Sequence, residues 1–85
     1  MKKVTISTAV PCPYCSRAKS FLTARGIAFE EIRLDWNDEK SFQELSKRSG
    51  LKTVPQIFAD NECLGGCMDI EALDRQGLLL SKVGK

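Results

Sequence analysis

The sequence predicts a three-layer α/β domain with the order β-α-β-α-β-β-α and a mixed sheet between helices. Three observations predict it. Val4 and Ile6 alternate with polar neighbours at the strand period, whereas Tyr14, Ala18, Phe21 and Leu22 recur at the helical one. Asp60-Asn61 sits between two short apolar runs, as the turn of a hairpin does. The composition, 42% apolar and 28% charged over 85 residues, is that of an ordinary folded chain rather than a disordered or fibrous one.

Each element has a local reason. The first strand covers roughly residues 2 to 8. Pro13 suits the first position of a helix, where its missing N–H has no partner to lose, and Gly26 reads as the C-cap. Ile27 to Leu34 reads as a second strand; its apolar phase changes between Phe29 and Ile32, which leaves open a bulge or burial on both faces. Asn37 or Asp38 opens a second helix with Phe42 and Leu45 in the core, and Gly50 ends it. The acidic run from Asp35 to Glu39 complements the dipole at that helix start, and Trp36 reads as half-exposed packing. Pro55 to Ala59 and Glu62 to Leu64 form the hairpin. Asp69 is predicted to cap a third helix, with Ile70 and Leu73 inward and Gly77 at its end. Leu78 to Leu80 then packs the tail onto the body. There is no repeat, linker or low-complexity stretch, so residues 1–85 are expected to form a single domain.

Charge and cysteine usage narrow the function. A net charge of +2, with Lys and Arg spread along the chain, gives no footprint for nucleic acid. Met1-Lys2-Lys3-Val4 looks like the start of a secretory signal, but the apolar stretch is broken by Thr5, Ser7 and Thr8 and runs into Pro11 and Arg17. No stretch approaches membrane-spanning length, so no membrane association is expected and the chain is placed in a reducing cytoplasm. Four cysteines there suggest catalysis or metal rather than structural cross-links. With no histidine, the usual general base is missing and the chemistry must generate its own nucleophile.

Cys12-Pro13-Tyr14-Cys15 can do so. A sulfur just ahead of the first helical turn meets unpaired backbone N–H groups and the positive end of the dipole, both of which favour the thiolate. Cys15, one turn in, can close a disulfide with Cys12 or attack one formed there. The topology brings two further motifs to the same end of the sheet: Thr53-Val54-Pro55 and Gly65-Gly66-Cys67-Met68-Asp69. Val54, ahead of proline, is pushed to extended geometry with its backbone open to an incoming peptide. Gly65 and Gly66 permit close approach to a ligand. The helix start near Asp69 offers N–H groups to a carboxylate, while the Asp69 side chain suits an amine.

On these three motifs, in this order and along essentially the whole chain, the sequence resembles the glutaredoxins of the small bacterial dithiol type. The resemblance implies a thioredoxin-like fold, a mixed four-stranded sheet flanked by three helices. It implies a glutathione-dependent thiol-disulfide oxidoreductase with Cys12 and Cys15 catalytic and a cis Pro55. Tyr14, Thr53, Val54, Pro55, Gly66, Cys67, Met68 and Asp69 would bind glutathione, a co-substrate, and no cofactor would be tightly bound. The implied protein partners are glutathionylated or disulfide-containing proteins, with ribonucleotide reductase a candidate among them, and the chain is expected to be a monomer.

The sequence departs from that pattern at three places. Ala9 stands where a lysine is usual, Pro11 where threonine is commoner, and Met68 where an acidic or polar residue is frequent. Arg17, Lys19 and Arg48 are the candidate replacements for the missing cation. Two alternatives follow: a hydrogen donor served by thioredoxin reductase, and an iron–sulfur carrier in which two chains and two glutathiones hold a cluster through Cys12. A zinc site completed by Cys63 and Cys67 fits less well, because a proline-containing CPYC loop suits a redox helix. Cys63 reads as packing. Cys67 reads as a small buried residue, with an accessory redox role as the alternative.

Overall fold

The computed structural model describes residues 2–51 and 53–84. Its elements are β1 (Val4–Ala9), α1 (Pro13–Ala24), β2 (Glu30–Leu34), α2 (Glu39–Ser49), β3 (Gln56–Ala59), β4 (Glu62–Gly65), α3 (Cys67–Arg75) and α4 (Leu79–Lys82). The sheet runs β2-β1-β3-β4, with β1 parallel to β2 and the other pairings antiparallel. This is the expected mixed sheet, and the architecture is thioredoxin-like. A short fourth helix, α4, adds to the expected order. It carries the tail inward through Leu79 and Val83, both buried, while Leu78 and Leu80 stay exposed.

The central strands are covered on both sides. Ile6 and Ile57 pair across β1 and β3 and are fully buried, as are Ala18 and Leu22 from α1 and Ile70 from α3. Asp60, at a φ of 53°, makes the hairpin turn; it donates its N–H to the Lys3 carbonyl and accepts the Lys3 N–H, tying the turn to the start of β1. Asp38 caps α2 by accepting the Ser41 N–H at 3.2 Å, and Gly50 ends that helix at a φ of 75°.

Three local expectations change. The second strand begins at Glu30, not Ile27: Ile27 is buried as part of the connection from α1, and β2 is an edge strand that leaves Ile32 46% exposed. The apolar phase change therefore reflects a strand boundary, neither a bulge nor two-sided burial. Phe42 is half-buried rather than core, because it stacks on Trp36 at 5.4 Å on the rim, and Leu45 is the buried residue of α2. Arg25 is the C-cap of α1, and Gly26 follows it at a φ of 69°. Among the described residues no helix is long and apolar enough to cross a membrane.

Candidate active site

Cys12 caps α1 from an extended backbone conformation, and its sulfur accepts the Cys15 N–H at 3.1 Å. The helix begins at Pro13, so the N-terminal N–H groups and the dipole face that sulfur. Cys12 and Cys15 are disulfide-bonded, with their Cα atoms 5.3 Å apart. Cys15 is 2% exposed and Cys12 half-buried, so Cys12 is the more accessible of the two sulfurs.

Across from Cys12, the Val54 carbonyl oxygen lies 3.9 Å from its Sγ. The Val54–Pro55 bond is cis, as the resemblance implies; Val10–Pro11 is cis as well, which nothing in the sequence reading anticipated. The loop is held from below by Gln56, a buried amide that donates to the carbonyls of Thr53 at 2.9 Å and Leu51 at 3.3 Å. Its Oε1 has no partner among the described residues.

The third motif folds differently in detail from its sequence reading. Gly66, not Asp69, is the N-cap of α3, and Asp69 is the third helical residue, reaching back to accept the Gly66 N–H at 2.8 Å. Asp69 still satisfies a helix-start donor, but from inside the helix. Space requires glycine at 65 and is tight at 66. A Cβ on Gly65, whose φ is 102°, would come within 2.5 Å of Asp69 Oδ2, and one on Gly66 would lie 3.3 Å from the Pro55 carbonyl oxygen.

These segments enclose one open cleft of about 440 Å³, lined by Tyr14, Thr53, Val54, Pro55, Gly66, Cys67, Met68 and Asp69. Tyr14 and Met68, 54% and 69% exposed, stand at its mouth. Cys67 is buried, and its thiol lies 3.6 Å from Glu71 Oε2. Burial, and then the Glu71 carboxylate, push the Cys67 thiol up. Glu71 is itself gripped by Arg17, whose Nε and Nη2 each donate at 2.7 Å, and these bonds hold the Glu71 carboxyl below the usual range. Cys63, half-buried on β4, is a free thiol. Among the described residues, no group of three or more His, Cys, Asp or Glu is arranged to hold a metal ion.

The cations suggested in place of the missing lysine are all engaged. Arg17 pairs with Glu71, Lys19 with Glu31, and the Arg48 guanidinium lies 4.6 Å above the Phe58 ring. Ala9 is buried at the end of β1. The sequence reading missed Glu71 and Glu31. Glu71 had a readable signal, since it lies four residues after Cys67 on one helix face; Glu31 had none, because its partners Thr8 and Lys19 lie on other elements.

Comparison with known proteins places this geometry. The pattern of the Glutaredoxin family matches residues 4–64. Glutaredoxin 3 of Escherichia coli K12 is 49% identical over 77 residues, which cover 91% of this chain and 92% of that one. The solution structure of glutaredoxin from Brucella melitensis superposes with a TM-score of 0.78 at 42% identity, covering 100% of this chain and 94% of the other. The crystal structure of a buckwheat glutaredoxin–glutathione complex gives a TM-score of 0.86 at 24% identity, with 96% of this chain and 76% of that one covered.

Proposed function

The chain belongs to the glutaredoxin family of thiol-disulfide oxidoreductases, and from that premise we propose that it acts with glutathione on protein–glutathione mixed disulfides and protein disulfides. The observation that carries this reading is the cleft beside Cys12, where the Thr53–Pro55 loop and the α3 start converge. The chemistry of that cleft suits a γ-glutamyl peptide. The backbone of Val54 pairs with an extended peptide, the α3 N-terminus takes a carboxylate, and the second oxygen of Asp69 takes an amine. The buckwheat relative was crystallised with glutathione, which supports the same ligand here.

In this reading Cys12, as thiolate, attacks the glutathione sulfur of a mixed disulfide; the protein thiolate leaves and is protonated. A second glutathione thiolate then attacks the glutathione sulfur on Cys12, giving glutathione disulfide and free Cys12. With a protein disulfide, Cys12 forms a mixed disulfide with one substrate sulfur, and Cys15 attacks Cys12 to release the substrate as a dithiol. Two glutathiones reduce the resulting Cys12–Cys15 bond. We place this chemistry in the cytoplasm, in one domain acting as a monomer, with ribonucleotide reductase a candidate protein substrate. Turnover of a glutathionylated peptide with glutathione and glutathione reductase tests it. Turnover with thioredoxin reductase alone would transfer the assignment to the other reductant, and visible absorbance on anaerobic isolation would favour a cluster carrier.

A further inference from the structure

A second cavity, about 280 Å³ and sharing no lining residue with the cleft, lies against the Cys12–Cys15 pair. Its polar and reactive wall is made by Thr8, Cys12, Cys15, Ser16, Lys19 and Glu31. Cys15 and Lys19 are four residues apart on α1 and so lie on one face of it. The Lys19 ammonium donates to both Glu31 oxygens, at 3.3 and 3.1 Å, and the Thr8 hydroxyl, itself buried, donates to Glu31 Oε2 at 2.7 Å. Arg33 approaches the same carboxylate at 3.7 Å.

The cavity wall itself carries the Lys19 ammonium and the Glu31 carboxylate; Arg33, which does not line the cavity, meets that carboxylate from outside. In a chain without histidine, Lys19 and Glu31 are the titratable side chains lining the cavity besides the two cysteines. β1 contributes only the Thr8 hydroxyl. Arg17, Glu71 and Cys67 form a separate network between α1 and α3.

We propose that Lys19 is the charge partner of Cys15 in the step that closes the disulfide, with Glu31 and Thr8 as the positioning residues that hold its ammonium at the cavity. The proposal rests on the dithiol reading above. Cys15 is 2% exposed, so its thiol has little water to stabilise the anion that attack requires. The Cys15 proton leaves through the cavity to solvent, and its thiolate attacks Cys12 Sγ in the Cys12–substrate disulfide. The Cys12–Cys15 bond forms as the substrate sulfur departs with the electron pair of the broken bond and takes up a proton. Lys19 faces the charge while it is on Cys15. The ion pair also has a structural consequence: it fastens α1 to the edge strand β2 at the level of the active site.

The test follows the decay of a trapped Cys12–peptide mixed disulfide by acid quench and mass spectrometry from pH 5 to 9. It compares the wild type with Lys19→Met, Lys19→Gln and Lys19→Arg, alongside turnover of glutathionylated peptide. Losing one charge near a thiol moves its titration by about one unit or more, so the ratio of disulfide closure to deglutathionylation at pH 7 should fall about tenfold in the neutral variants. Their closure profile should shift to higher pH, and Lys19→Arg should restore both. A wild-type profile in a folded neutral variant overturns the proposal, as does equal loss of both activities. A wild-type mixed disulfide that never closes would overturn the dithiol reading, and this inference with it.

Discussion

Asp69 accepts the backbone N–H of Gly66 at 2.8 Å from three residues further along, so the acidic side chain at the cleft also fixes the turn that forms the cleft wall. The two roles separate on substitution. Asp69→Ala should raise the KM for glutathionylated substrate about tenfold, the scale of one charge-assisted hydrogen bond. Asp69→Asn should keep the turn and lose the charge, recovering stability but not KM. Steady-state kinetics beside thermal melts decide it, and an unchanged KM in both variants would make the turn purely structural.

Gly65 is constrained from two directions at once. Its φ of 102° is costly for any other residue, and an added Cβ would come within 2.5 Å of Asp69 Oδ2. Gly65→Ala should destabilise the fold by about 1–3 kcal/mol in denaturant titrations. It should also displace Asp69, so that KM rises as in Asp69→Ala. By contrast Gly50, also left-handed, has nothing within 4 Å of such a Cβ; Gly50→Ala should cost stability without touching KM.

The fold was largely legible because its signals are local. Proline at the first turn of α1, Asp38 and Gly50 at the ends of α2, and Asp60-Asn61 between β3 and β4 each act within a few residues. The site motifs were legible for the same reason. What escaped depends on distant partners. Ile27 and Phe29 look like strand residues, and only the pairing of Glu30 with Thr5 shows where β2 starts. Phe42 has the right spacing for the core, yet Trp36 holds it at the rim. The Arg17–Glu71 and Lys19–Glu31 pairs join elements across the fold, and no periodicity announces them.

Cys67 should be a silent thiol at neutral pH despite lining the cleft. Burial and Glu71 push it up, so the folded chain holds its proton more tightly than the unfolded chain does. Its contribution to stability is intact below about pH 8.5, the ordinary cysteine value, and is lost as pH rises above it. Reduced wild type should therefore lose stability above that pH more steeply than Cys67→Ala. Peptide mapping after iodoacetamide treatment should find Cys67 unmodified at pH 7. Labelling as fast as in the urea-unfolded chain would show that neither burial nor the carboxylate protects it.

Cys12→Ser should abolish every thiol-transfer activity, because serine offers no comparable anion at neutral pH. The variant must still fold, since the serine hydroxyl can accept the Cys15 N–H as the sulfur does. Turnover above background in a folded Cys12→Ser protein would remove Cys12 as the nucleophile.

In the proposed cycle the two thiols divide the work, and Cys15→Ser separates their steps. Cys15 is 2% exposed and lies inside α1, whereas Cys12 sits at the helix start beside the Val54 carbonyl. Without Cys15, Cys12 can still take glutathione from a mixed disulfide and pass it to a second glutathione, since neither attack needs a second sulfur of this chain. A protein disulfide is different. Its mixed disulfide with Cys12 then has no internal thiol to close the cycle and must wait for glutathione to reach it from solution. The variant should therefore keep substantial deglutathionylating activity and lose most of its reduction of protein disulfides, with the Cys12–substrate adduct accumulating on non-reducing gels. Equal loss of both activities, without the adduct, would make Cys15 an obligatory partner in every cycle.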